Sequence, residues 1–124
     1  MKVFTLSEAN ELLPSVGPKL RLIQTCYKQL SALREPARAA AEASEFGGGM
    51  KGGTGYVKTL YEIGKITTEL HDLGIQLKDY SRGLIDFPSI KEGRVVLLCW
   101  QLGEGDRIEW WHEIEAGFAG RKPL

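Results

Sequence analysis

Asp86, Cys99 and His112 combine a carboxylate, a thiol and an imidazole, donors that serve both zinc sites and Cys-His nucleophilic pairs. They meet only if the intervening chain turns back twice. KEGR, Lys91 to Arg94, and GEGD, Gly103 to Asp106, are the turn-forming stretches. With Glu92-Gly93 as the first two-residue loop, Asp86 lies opposite Cys99. With Glu104-Gly105 as the second, Cys99 lies opposite Trp110 and His112 is its diagonal neighbour; with Gly105-Asp106, Cys99 and His112 are directly opposed. Both choices preserve side-chain parity, so the three share a face. A three-residue loop would flip one strand and scatter them.

Gathered in this way, the three can hold a divalent metal ion such as zinc, with Glu104, Glu113 or Glu115 as a further oxygen ligand. They can equally form a Cys-His pair oriented by a carboxylate, or a buried thiol beside an Asp-His hydrogen bond that tethers strands. In a metal-assisted hydrolase Glu104 is the candidate acid-base group and Arg121 the candidate anion clamp, although Arg121 also suits an ion pair that pins the tail. Trp110 belongs to the Cys99 face. Trp100 and Trp111 lie on the other face with Val96, Leu98 and Leu102, as a stacking surface for a planar ligand or as core or subunit interface. His71, in the last turn of a helix, suits the negative end of its dipole and reads as a surface or capping residue.

The elements that position these residues follow from periodicity. Thr5 and Glu8 stand in the T-x-x-E relation of a capping box, which starts a helix. Pro14 and Pro18 each delete a helical hydrogen bond, so the first turns through Leu13 are expected to be kinked or separate. Leu13, Val16, Leu20, Ile23, Tyr27 and Leu30 form a seam of alternating three- and four-residue steps, and helix is expected to about Ser44, beyond Pro36. The glycine-rich stretch Gly47 to Gly55 lacks the order of a phosphate loop and reads as a flexible connection. A second helix is expected from Tyr56 to Leu73 with the seam Tyr56, Leu60, Ile63, Thr67 and Leu70, closed by Gly74. From Ile75 the period becomes that of strands: a short one through Asp79, then Leu84 to Ser89, Val95 to Leu102 and Arg107 to Ile114, followed by an irregular tail that Phe118 anchors.

The chain has 124 residues, a length that suits a single domain, 1–124: helical hairpin 5–73 with its connection 47–55, then meander and tail 75–124. Sixteen basic and sixteen acidic residues leave no formal net charge, which argues against nucleic acid as a partner. Glu8, Glu11 and Pro14 interrupt the apolar run a signal peptide needs, and no later segment is apolar enough to span a bilayer, so a cytoplasmic location and no membrane partner are expected. Cys26 and Cys99 lack the paired spacing of a disulfide framework and read as reduced, buried thiols.

FTLSEANELLP at Phe4 to Pro14, KDYSRGLIDFP at Lys78 to Pro88, LCWQLGEGD at Leu98 to Asp106 and WHEIEAGFAGRKPL at Trp111 to Leu124 together resemble a family of short bacterial proteins classed only as a domain of unknown function. The family's motifs look like FTLxEANxLLP, GLxDFP, LCWxLGE, a WH pair and GFAGRxPL. The resemblance implies no reaction, substrate or cofactor. It places Asp86, Cys99, Glu104, His112 and Arg121 inside the motifs. The expected fold is α+β, a long antiparallel helical hairpin followed by a small three- to four-stranded antiparallel β-meander. The first functional reading is a small cytoplasmic binding or interaction protein that forms a homodimer, because the apolar seam and the two-faced sheet need more cover than the chain supplies. The second is a metal-binding protein or metal-assisted hydrolase centred on Asp86, Cys99 and His112.

Overall fold

The computed structural model describes residues 2–44 and 53–124, with side chains described for 2–32 and 55–124. Two helices, α1 (Leu6–Ser44) and α2 (Gly53–Leu73), precede strands β1 (Gln76–Asp79), β2 (Leu84–Lys91), β3 (Arg94–Gln101), β4 (Trp110–His112) and β5 (Lys122–Pro123). Each strand pairs antiparallel with the next, so the sheet order is that of the chain. Among the described residues no helix is long and apolar enough to cross a membrane.

The α1 start is the expected capping box: Glu8 N–H donates to Thr5 Oγ1 at 3.1 Å and Thr5 N–H donates to Glu8 Oε1 at 2.8 Å. Pro14 and Pro18 do not break the helix, which runs unbroken to Ser44. Both prolines face solvent, whereas Leu13, Val16, Leu20 and Ile23 are buried on the opposite side. The carbonyls freed four residues back can therefore bond water, and the packed face is untouched. Of the glycine-rich connection, 47–52 lie outside the described residues, and Gly53 to Gly55 already belong to α2. The helices run antiparallel: Lys19 pairs with Glu69 at 3.2 Å and Thr59 Oγ1 lies 3.5 Å from Gln29 Oε1. Their seam departs from the expected one at Cys26, buried rather than Tyr27, at Ile66, buried rather than Thr67, and at Leu60, which is exposed because the second helix turns that position away from the first. α2 stops at Gly74, whose φ of 93° admits the left-handed C′ position; Gly74 N–H donates to His71 O and Ile75 N–H to Leu70 O. His71 itself is exposed.

Glu92 and Gly93, both at positive φ (52° and 78°), form the tight turn between β2 and β3, and Asp86 falls opposite Cys99. One face of the sheet, with Ile85, Phe87, Val96, Leu98, Trp100 and Trp111, packs into the same core as Leu13, Val16, Leu20, Ile63 and Leu70. That settles the two tryptophans as core. The fifth strand extends the expected meander, because the tail returns: Lys122 and Pro123 pair with Trp111 and Trp110, and Leu124 N–H donates to Glu109 O at 2.9 Å.

Candidate metal centre

The sheet face opposite the helices carries the polar residues. β2 contributes Asp86, β3 contributes Cys99 and β4 contributes His112, all buried. The second hairpin has the register of the Glu104-Gly105 alternative, with Cys99 opposite Trp110, although the excursion between strands runs from Leu102 to Glu109. Its eight residues are an even number, so parity survives and His112 stays on the Asp86 face. One donor atom from each of Asp86, Cys99 and His112 lies within 4.8 Å of the other two, the one such cluster of three or more His, Cys, Asp or Glu side chains among the described residues.

His112 is fixed at both nitrogens. Nδ1 lies 2.7 Å from Glu113 O, an atom that only accepts, so Nδ1 carries the proton. Nε2 lies 3.1 Å from Asp86 Oδ1. A neutral ring would present a lone pair to a carboxylate oxygen there, so a proton or another cation belongs in the gap. The Glu113 side chain is held by the Arg94 guanidinium, whose Nε lies 3.0 and 3.2 Å from its two oxygens, and this pairing holds its carboxyl below the usual range. The residue whose carbonyl orients His112 is thereby anchored.

Burial pushes the Cys99 thiol up to about 12; the neighbouring Asp86 carboxylate adds to the shift and Arg121 opposes it. In the metal-free protein the folded state keeps this proton where the unfolded chain has lost it. The resulting stabilisation is complete below pH 9.0 and disappears as pH rises toward about 12. Urea midpoints measured on both sides of that lower limit are expected to fall more steeply with pH for the wild type than for Cys99→Ser.

Glu104 and Arg121 sit beside the cluster, bound to each other. Arg121 Nη1 donates to Glu104 Oε1 at 3.0 Å and Oε2 at 2.8 Å, and Gln101 N–H donates to Oε1 at 2.9 Å. The same Nη1 lies 4.0 Å from Cys99 Sγ. The guanidinium also stands 4.9 Å from the Trp110 ring centroid and 4.1 Å from that of Phe118, which Arg82 approaches at 4.1 Å as well. Arg121 thus pins the tail over the site. Glu113 is committed to Arg94, and Glu115 is exposed.

Above the three donors lies a cavity of about 140 Å³, walled by Leu84, Leu97, Ile114 and Phe118, with Lys78 at its margin. Sequence reasoning missed Lys78 and Ile114. The signal for Lys78 was alternation, since it stands two residues after Gln76, which pairs with Asp86. Ile114 carried no comparable signal, since the tail has no strand period.

A helical hairpin with a five-stranded meander, and a carboxylate, a thiol and an imidazole buried beneath its tail, describes a small α+β protein with a preformed polar centre. The chain belongs to the family of uncharacterised conserved proteins DUF2203, whose profile matches residues 2–124. No curated protein and no solved structure matches it.

Proposed function

We propose that the protein binds a divalent metal ion through Asp86, Cys99 and His112. The observation that supports this most directly is the approach of three unlike donor atoms to within 4.8 Å of one another in a buried site, with Glu113 O already holding His112 in the tautomer that leaves Nε2 for an ion. Bonds of about 2.0–2.3 Å in a tetrahedral site set ligand atoms roughly 3.3–3.7 Å apart, so a closure of roughly 1 Å suffices for the thiol. A thiolate beside an imidazole favours zinc over magnesium or calcium. The nucleophile reading is weaker, because burial keeps Cys99 a thiol and the imidazole nitrogen that would take its proton faces Asp86 instead. A three-ligand site beside a cavity also has room for an exogenous fourth ligand, the arrangement that metal-assisted hydrolysis uses.

Elemental analysis of protein purified without a polyhistidine tag is expected to give about one zinc, manganese or iron per chain. Titration of zinc into stripped protein in buffers of different ionisation enthalpy should show proton release from the Cys99 thiol, a release that Cys99→Ser removes. A chain that purifies metal-free, and whose stability neither zinc nor chelator changes, would sink the reading.

The homodimer has its own support. Val57, Leu60 and Tyr61 form an i, i+3, i+4 stripe on α2 and are 63%, 44% and 71% exposed. Light scattering is expected to give twice the chain mass, and Tyr61→Lys to return it to one; a wild-type monomer at micromolar concentration would overturn this.

A further inference from the structure

Lys78 lies two residues beyond Gln76, which pairs with Asp86, so strand alternation brings it to the Asp86 face at the cavity. Gln76 and Leu77 pair with Asp86 and Ile85, but Asp79, not Lys78, pairs with Leu84. The register shifts between Leu77 and Asp79, which leaves Lys78 without a partner in the ladder beside Leu84. The three bonds Asp79 accepts from the following turn hold its carboxyl below the usual range and occupy it locally. Among the described residues, Lys78 forms no ion pair. A cation without a carboxylate therefore borders a cavity whose other rim is apolar.

Charge and size define what would fill that cavity. A divalent ion held by the Asp86 carboxylate, the Cys99 thiolate and a neutral His112 forms a centre of zero net charge, and Lys78 adds one positive charge. The balance calls for one negative charge. A volume of about 140 Å³ corresponds to four or five waters at about 30 Å³ each, which limits the ligand to a few heavy atoms. Leu97, Ile114 and Phe118 offer a short apolar surface alongside.

Building on the metal reading above, we propose that the cavity takes a small monocarboxylate, its carboxylate placed between the bound ion and the Lys78 ammonium and its short aliphatic part against Ile114 and Phe118. Phosphate, doubly charged near neutrality and without an apolar part, fits less well.

The test uses full-length protein loaded with cobalt(II), whose visible spectrum reports its ligands. Titration with propionate is expected to shift the spectrum at one equivalent per chain. Lys78→Met should keep full cobalt uptake and weaken propionate about tenfold, the effect of losing one charge-assisted contact. Inorganic phosphate should bind more weakly than propionate. If cobalt is taken up and millimolar propionate leaves the spectrum unchanged, or Lys78→Met binds propionate as the wild type does, the carboxylate proposal fails and the metal site stands. A protein that takes up no cobalt overturns both.

Discussion

His112→Ala is expected to abolish metal uptake and to destabilise even the metal-free protein, by about 3–5 kcal/mol. Two effects add. The Asp86 side chain is only 3% exposed, and removing the imidazole at 3.1 Å leaves its carboxylate buried with the Cys99 thiol, a weak donor, beside it. A cavity also opens where the ring filled space between β3 and the tail. The pair itself contributes less than this figure suggests, because most of the loss is the penalty on the orphaned partner. Asp86→Leu combined with His112→Leu should therefore recover much of the stability lost in His112→Ala while binding no metal. Urea denaturation of the three variants, with metal analysis on the same samples, separates scaffold from ligand: a double variant as unstable as His112→Ala would mean that shape rather than charge is at stake.

Arg121→Ala is expected to cost about 3 kcal/mol, and Arg121→Lys only about 1 kcal/mol. The Arg121 and Glu104 side chains are 12% and 18% exposed, so alanine strands a largely buried carboxylate. Lysine can keep the ion pair, because Arg121 reaches both Glu104 oxygens through Nη1 alone. What lysine cannot supply is the flat guanidinium packed on Trp110 and Phe118. Denaturant midpoints in the order wild type, lysine, alanine support this division. Equal losses for the two variants would instead place the whole effect in the aromatic packing.

Legibility in the sequence followed local chemistry. Glu92-Gly93 is a turn with a specific backbone demand, so the pairing of Asp86 with Cys99 could be read from two residues. His112 lay on the expected face for a less secure reason, since the loop before it is eight residues long and only its even count matched a two-residue turn. The helix ends were legible where capping is local, at Thr5, Glu8 and Gly74. Pro14 and Pro18 do not make the first turns a separate segment, since α1 is continuous through both, and that they face water is decided by what α1 packs against. The fifth strand was not legible, because two residues such as Lys122 and Pro123 have no period and are paired only by the neighbour that β4 provides.

The two faces of the sheet are sealed by unequal means. α1 and α2 cover one, and a dozen residues after His112 cover the other, held by a two-residue strand, a short turn at Phe118–Gly120 and the Arg121 contacts. Leu20, Ile23 and Leu70 lie in the core on the other face, so lifting the second cover is expected to cost less free energy than global unfolding. The lifetime of the proposed ion would then be set by the tail. For the metal reading proposed above, a centre buried on the time average would become exchangeable on the timescale of a local fluctuation, with Arg121's grip on Glu104 setting how often it opens.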